Sequence, residues 1–374
     1  MNGIPDYQLP DYQYRIPHHL SGIRNISSVK LVNEMKSGWN LGNTFDASFN
    51  IFSENSQITE NIEKWETAWG NPIVTKELID KVKEAGFNIL RIPITWSGSI
   101  IKDVISIKSL ERIKEVVDYG IENDMFVIIN MHHDDELYQI EDNKNYQNFF
   151  KIWKQIAFYF RDYNEKLIFE DMNEPRYINH ETEWIGGTEY ARNKINELHE
   201  EFVYTIRHSY GFNKYRHLMI PTYAAATTDD VMESLVIPKD DKIIVSLHAY
   251  LPYLLSLAGP EYTHRKWATR WNIEDIENTG TIAVDKVLDS INRIFIDKGI
   301  PVIIGEYGVR DRDNLEDRIA CAKYYTSQAR KIGIPMCWWD NGIFEGDDTV
   351  TRLGLIDRNT LEWKFPEIVK VITT

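Results

Sequence analysis

Residues 167–175 read Leu-Ile-Phe-Glu-Asp-Met-Asn-Glu-Pro, so a short apolar run is closely followed by Glu174. Residues 301–308 read Pro-Val-Ile-Ile-Gly-Glu-Tyr-Gly and place Glu306 directly after a similar run. Such runs are typical of strands buried in a parallel sheet. In a β/α barrel both glutamates would lie at the carboxyl ends of strands and face one pocket. Two carboxylates that face one cleft are what the cleavage of a glycosidic bond requires.

The alternation of apolar runs with helical patterns continues along the chain from Ser27. The predicted strands are residues 38–41, 88–92, 126–131, 167–171, 217–220, 243–247, 302–305 and 335–339. Apolar residues spaced for helices occur between and after them, in residues 75–85, 110–122, 146–159, 190–208, 283–297, 315–331 and 365–372. This alternation predicts an α/β fold, a single-domain (β/α)8 barrel spanning residues 27–374. Residues 1–26 are rich in Pro and Tyr and are interpreted as an extended lead-in segment.

Bulk properties exclude several classes of partner. The formal net charge of −15 argues against a nucleic acid or an anionic membrane surface. No apolar run is long enough to span a membrane. Because the first residues lack the apolar core of a signal peptide, the chain is either cytoplasmic or the catalytic part of a secreted precursor. The only two cysteines, Cys321 and Cys337, are expected to be free buried thiols.

Polar and aromatic residues recur where each predicted strand ends, which is the active-site face of such a barrel. Ordinary solvated or capping residues would give no reason for histidines, glutamates, an arginine and a tryptophan to recur at the ends of the strands. The residues concerned are Asn43, Arg91, His132, His133, Asn173, Glu174, His248, Tyr250, Glu306, Trp339 and Asp340.

In combination, these motifs resemble glycoside hydrolase family 5 enzymes of the cellulase type. The resemblance is strongest to bacterial and anaerobic-fungal endoglucanases, which carry Gly-Trp-Asn-Leu-Gly-Asn-Thr near the start and Trp-Trp-Asp-Asn-Gly near the end. Both strings occur here, at residues 38–44 and 338–342. The resemblance covers residues 26–372 and implies a retaining endo-β-1,4-glucanase that needs no cofactor or metal.

The resemblance also implies roles for individual residues. Glu174 matches the general acid/base and Glu306 the nucleophile, which predicts carboxyl groups about 5–5.5 Å apart. Arg91 matches an arginine that keeps the nucleophile ionised, and Glu174 needs a raised pKa to hold its proton. Asn173 should bind the sugar 2-hydroxyl. Tyr250 should donate towards Glu306, and His132 and His248 should bind hydroxyls or orient the carboxylates.

Substrate contacts beyond the cleavage point follow less directly from the motifs. Trp339 should offer a flat face beneath a sugar ring, whereas its neighbour Trp338 should point into the core. Further candidates for sugar contacts are Asn43, Trp69, His133, Asp340 and, at the rim, Trp96. After His-His-Asp, Tyr138 is the residue that could supply the stacking contact that related sequences often have in this loop.

Several alternatives remain open at this point. The same machinery could act on xyloglucan, mannan or xylan, because the motif residues serve bond cleavage and not polymer choice. A non-catalytic sugar-binding barrel and a metal-dependent barrel hydrolase are more remote, the latter resting on a metal cluster of His132, His133 and Asp134. Adjacent side chains on a strand point to opposite faces, which disfavours that cluster. We expect an extracellular monomer whose partner is a β-glucan, with the signal peptide and any further binding or docking modules absent from this sequence.

Overall fold

The computed structural model describes residues 9, 22–48, 62–138, 146–261, 266–267 and 280–374. Within these residues, eight parallel strands form a closed barrel in chain order. The strands, β1 to β8, are Ser37–Leu41, Ile89–Ile92, Phe126–Asn130, Leu167–Glu170, Leu218–Pro221, Ile243–His248, Val302–Tyr307 and Met336–Asp340. Every predicted strand is present, with ends shifted by two residues or fewer, and the (β/α)8 barrel is confirmed.

Helices surround the barrel, and short two-stranded hairpins decorate it. The helices, α1 to α11, are Ser28–Val32, Ile62–Thr67, Lys76–Glu84, Ile107–Glu122, Tyr146–Tyr159, Glu189–Arg207, Asp229–Glu233, Tyr253–Ser256, Gly280–Ile294, Leu315–Lys331 and Pro366–Thr373. The hairpins pair Ile100–Ile101 with Val104–Ile105 and Ile356–Asp357 with Glu362–Trp363. All the predicted helices are found, but α1, α2, α7 and α8 were not predicted. Each has four to six residues, too few to show a helical period.

Helix α3 illustrates how the sequence specifies the outer layer. The Thr75 side chain accepts a hydrogen bond from the Leu78 amide and so caps the first turn. Leu78, Ile79 and Val82 form its buried face. The chain then turns at Gly86, whose φ of 104° is a conformation that a side chain disfavours. The next strand, β2, begins three residues later.

The lower half of the barrel interior is an apolar core of its own, closed from below by α1. Side chains from the barrel strands meet Leu31, Val32 and Met35 of the helix segment there. Ile26, the last residue of the predicted lead-in segment, packs against the same cluster. Most of that segment lies outside the described residues, so its extended form stays a prediction. Both cysteines are buried free thiols, as predicted.

The upper half of the interior is polar and carries the functional residues. Side chains alternate along a strand, so the residue two places beyond an inward apolar one also faces inward. In β2 this places Arg91 above Ile89, and in β4 it places Glu170 above Ile168. Arg91 and Glu170 contact each other although β3 lies between their strands. Among the described residues, no helix is both long and apolar enough to cross a membrane.

Candidate active site

Glu174 and Glu306 lie together at the carboxyl face of the barrel. Glu174 follows β4 by four residues, and Glu306 belongs to β7. One carboxylate oxygen of each lies within 4.8 Å of the other, with a ring nitrogen of His248 in the same group. An oxygen–oxygen approach this close is compatible with the separation of about 5–5.5 Å between the carboxyl groups of retaining glycosidases.

Arg91 stands beneath this pair and organises it. A guanidinium carries N–H donors on all three of its nitrogens, and each nitrogen has an acceptor here. Nε donates to Glu170 at 2.8 Å and Nη2 contacts the same oxygen at 2.7 Å. Nη1 donates to Glu306 at 2.9 Å and to Asn40 at 3.0 Å, and Nη2 also donates to Asn173 at 2.7 Å. The side chain is fully buried, so the contacts are shielded from water.

Glu306 is held on both of its oxygens. Oε1 accepts from Arg91 at 2.9 Å, and Oε2 accepts from the Tyr250 hydroxyl at 2.9 Å. Burial raises the pKa of the Glu306 carboxyl, while His248, Arg91 and the Tyr250 hydrogen bond lower it. The arginine and tyrosine contacts therefore oppose the cost of a buried negative charge, and they fix the direction of the carboxylate.

Glu174 occupies a more open place, with about a quarter of its side chain exposed. His248 Nδ1 lies 2.7 Å from its Oε1, and Arg176 donates to its backbone carbonyl at 3.0 Å. Burial raises the pKa of Glu174, and the positive charges of Arg176 and Arg91 oppose the rise. A raised pKa is what a proton donor needs near neutral pH. The expected direction is thus present, although burial and not the charge of Glu306 is its main cause.

Four aromatic rings form a continuous row along one side of the cleft. The Trp339 ring stacks on His132 at 5.6 Å between centroids, with 9° between the planes. His132 meets His133 at 4.4 Å, and His133 meets Trp69 at 6.0 Å. Trp69 is 37% exposed at the rim. Trp339 and His133 are partly exposed, whereas His132 is 4% exposed and supports the row from within.

The first strand loop leaves space for this row. A Cβ atom on Gly42 would lie 2.9 Å from Cε2 and Cζ2 of Trp339. Only glycine therefore allows the indole to lie against the backbone here. Asn43 follows at a φ of 54°, and its carbonyl accepts from Asn71, which also bonds the Asn341 carbonyl. Asn43 is thereby placed beside the segment that carries Trp339.

Some residues predicted to contact sugar have another role. The carboxylate of Asp340 is fully buried and accepts from the Trp39 indole and from the amides of Gly342 and Leu355. It supports the loop after β8 and does not reach the cleft, so the prediction that it binds substrate is wrong. Trp96 is fully buried, and its indole donates to the Asn130 carbonyl.

Tyr138 also lies away from the cleft. It is 1% exposed, packs on Phe149 and donates to Asp135 at 3.0 Å, so it does not supply a stacking contact. Trp338 is buried in the core, as predicted, with its indole donating to Leu353.

The structure does not form the metal cluster of His132, His133 and Asp134 that the sequence left open as an alternative. Asp134 accepts from the Trp96 and Ser97 amides and does not join the histidines. Strand β3 ends at Asn130, so the alternation of strand side chains does not separate His132 from His133. Their ring nitrogens lie within 4.8 Å of an oxygen of Asp46. Burial lowers the pKa of both imidazoles, that of His133 to about 4, so both are neutral near pH 7.

Several residues around the site were missed from the sequence, among them Asn40, Arg176, Glu170 and Trp184. Glu170 is fully buried and bonds Arg91; it sits in the quoted Leu-Ile-Phe-Glu run, where an acidic residue in a buried strand was the available signal. Trp184 is 62% exposed, beside Ile185 at 78%, and its ring packs on the Arg176 guanidinium at 4.5 Å. No spacing rule identifies such a loop residue, because its place depends on how the loop after β4 folds.

Comparison with known proteins decides the family. The family profile described as Cellulase (glycosyl hydrolase family 5) matches residues 51–345. The chain belongs to glycosyl hydrolase family 5. It is therefore a glycoside hydrolase, and the two-step retaining reaction is general to this family.

Individual relatives of this family 5 chain support the same placement. It is 42% identical over 355 residues to Endoglucanase B of Neocallimastix patriciarum, covering 93% of the chain and 71% of that relative. It is 39% identical over 362 residues to Cellulase/esterase CelE of Acetivibrio thermocellus, covering 94% of the chain but only 41% of that relative. A solved GH5-4 broad specificity endoglucanase from Ruminococcus champanellensis with bound cellotriose is 36% identical, with a TM-score of 0.84 over 94% of this chain and 99% of that one.

Proposed function

We propose that this family 5 enzyme cleaves internal β-1,4 bonds of cellulose and related β-glucans with retention, using Glu306 as nucleophile and Glu174 as acid and base. The observation that carries the proposal is the approach of the two carboxylates to within 4.8 Å. In the first step Glu306 attacks the anomeric carbon, and Glu174 gives its proton to the leaving oxygen. In the second step Glu174 removes a proton from water, which opens the glycosyl ester.

The neighbours of the pair support this division of roles. Hydrogen bonds from Arg91 and Tyr250 fix the orientation of the two Glu306 oxygens, as a nucleophile requires. Glu174 is more exposed and stands beside His248, where a leaving group and then a water can reach it. Asn173, which accepts from Arg91, keeps its amide nitrogen for the sugar 2-hydroxyl.

The shape of the site supports action within a chain. The aromatic row runs from Trp339 to the exposed Trp69, and Trp184 is exposed beside Arg176, which donates to the Glu174 carbonyl. We infer that the row and Trp184 lie on opposite sides of the carboxylates. A polymer that contacts both would extend past the cleavage point in both directions. The related structure that holds cellotriose is described as a broad specificity endoglucanase, and xyloglucan, mannan and xylan stay the alternative substrates of the same machinery.

The test is a panel of polysaccharides with the Glu306→Gln variant as control. We expect the enzyme to lower the viscosity of carboxymethyl cellulose and barley β-glucan quickly while releasing few reducing ends. Glu306→Gln should be inactive on both, because an amide cannot form the glycosyl ester. Hydrolysis of mannan alone, or near-normal rates in Glu306→Gln, would overturn the proposal.

The setting of the enzyme follows from the polymer. An insoluble or very large β-glucan lies outside cells, so we infer that the enzyme acts there, as a monomer that needs no metal or cofactor. Further binding or docking modules in the full-length protein are part of this proposal, since the chain matches only 41% of the Acetivibrio relative. Detection of the enzyme outside the native host tests the extracellular location, and size-exclusion chromatography tests the monomer.

A further inference from the structure

Glu170 is a buried carboxylate that shares Arg91 with the nucleophile. Its Oε2 lies 2.8 Å from Nε and 2.7 Å from Nη2 of Arg91, and its Oε1 accepts from the Ser246 hydroxyl at 2.5 Å. The residue is fully buried at the end of β4, below the cleft. It therefore does not touch substrate, and any effect on the reaction passes through Arg91.

The charges in this cluster change during the reaction. Before the attack, the buried Arg91 stands between two carboxylates, those of Glu170 and Glu306. Burial by itself lowers the pKa of Arg91, but Glu170 and Glu306 more than offset this, so the guanidinium stays charged. When Glu306 forms a bond to the anomeric carbon, the bond to the leaving oxygen breaks and Glu306 becomes a neutral ester. A buried arginine without a counter-ion is strongly destabilising.

We propose that Glu170 is a positioning residue that serves as the permanent counter-ion of Arg91 through both steps of the reaction. It keeps the guanidinium neutralised and in place while Glu306 is esterified. In the free enzyme it also limits how strongly Arg91 stabilises the Glu306 carboxylate, which preserves the nucleophilicity of that group. The inference rests on the proposed role of Glu306.

The Glu170→Gln change isolates the charge from the shape. Both contacts with Arg91 go to one oxygen of Glu170, so the amide oxygen can replace it. The amide nitrogen then faces the Ser246 hydroxyl, whose oxygen can accept from it. The hydrogen bonds remain and only the negative charge is lost.

Several charged or titratable groups face Glu306 and together set its titration. They are Arg91 from β2, Glu174 from the loop after β4, His248 from β6, and Tyr250 beyond it. Glu170 acts on Glu306 across Arg91. Removing one negative charge from this set should ease the ionisation of Glu306.

The experiment compares pH profiles of kcat/KM for the full chain, Glu170→Gln, Glu170→Asp and Ser246→Ala on an aryl cellobioside. In Glu170→Gln the acidic limb should move down by about one pH unit, the size of effect that a nearby charge produces. The rate at the optimum should fall because Glu306 becomes a weaker nucleophile. Ser246→Ala keeps the charge of Glu170, so its acidic limb should lie where that of the unchanged enzyme lies. Glu170→Asp restores the charge that Glu170→Gln lacks, so its acidic limb should lie close to that of the unchanged enzyme.

The outcomes separate this inference from the proposed function. A purely structural role of Glu170 predicts a lower melting temperature and rate in Glu170→Gln with an unmoved acidic limb, and that result overturns the inference. If Glu170→Gln does not fold, Glu170→Asn is compared with Glu170→Asp, from which it differs in charge and not in length, and equal acidic limbs in these two variants overturn the inference. Activity of the Glu306→Gln variant would instead contradict the proposed function, independently of the results for the Glu170 variants.

Discussion

The Nδ1 atom of His248 lies 2.7 Å from Oε1 of Glu174 and so ties β6 to the loop after β4. The same nitrogen lies 3.7 Å from Oε2 of Glu306. One imidazole thus stands between the two carboxylates and sets their spacing. Burial lowers the pKa of the His248 imidazole, and the negative charge of Glu306 opposes that fall. Permanent positive charge near the pair comes from Arg91, which contacts Glu306, and from Arg176, which opposes the rise in the pKa of Glu174.

The division of roles predicts how Glu174→Ala responds to the leaving group. The first step needs a proton from Glu174 only when the leaving oxygen is basic. We expect glycosylation rates with dinitrophenyl cellobioside to stay near those of the unchanged enzyme, whereas cellotetraose turnover falls by roughly a thousandfold, within the range of general acid catalysis. Pre-steady-state release of dinitrophenol measures the first step, and it should show a burst because the second step lacks its base. Equal losses on both substrates would contradict the assignment.

Glu174 is also expected to cost stability at neutral pH. Its pKa is raised by burial in the folded chain, so its contribution to stability is full at low pH and is lost as pH rises through the folded pKa. Glu174→Gln resembles the protonated form and can still accept from His248. Its melting temperature should exceed that of the unchanged enzyme at pH 7 and match it near pH 4.

Thermal unfolding at the two pH values measures this effect, with Glu362→Gln as the matched control. Glu362 is exposed in the hairpin near the carboxyl terminus, so its neutralisation should give no such pH-dependent gain. A Glu174→Gln variant that melts below the unchanged enzyme at pH 7 would contradict the burial argument.

Arg91→Lys should be severely impaired although the charge is kept. A lysine has three donors on one nitrogen and cannot serve acceptors on Glu170, Glu306, Asn40 and Asn173 at once. We expect kcat to fall by at least about a hundredfold, which corresponds to about 2.7 kcal/mol in the barrier. Arg112→Lys, which alters a similarly paired arginine away from the cleft, is the control and should keep its kcat. Near-normal kcat in Arg91→Lys would show that charge alone suffices.

Trp184→Ala tests whether the exposed indole beside Arg176 contacts the leaving-group side of the polymer. Loss of a stacking surface should raise KM for cellohexaose and β-glucan. It should leave an aryl cellobioside nearly unchanged, because that leaving group is too short to reach the indole. Trp184→Phe keeps a flat face and should recover most of the affinity. A rise in KM that is equal for short and long substrates would indicate a change at Glu174 through Arg176 instead.

Much of this enzyme could be predicted from local sequence. The barrel strands are continuous apolar runs because both of their faces are buried. The sequence therefore predicted their number and order, and it predicted their ends to within two residues. Short helices such as α1 and α7 were not, since a single turn shows no period. The two glutamates were identified because each closely follows such a run, Glu306 by two residues and Glu174 by five.

What the sequence by itself determined is which residues stand at the carboxyl ends of the strands, and hence Glu174, Glu306 and Arg91. Tertiary structure alone decided which of these end residues face the cleft. Asp340 turned into its loop, where backbone amides and the Trp39 indole satisfy its carboxylate, and Trp96 was buried against Asn130. Glu170 gained its partner across the barrel, on a strand that is not its neighbour. Such contacts join residues distant in sequence through the closed curvature of the barrel, and no local pattern encodes them.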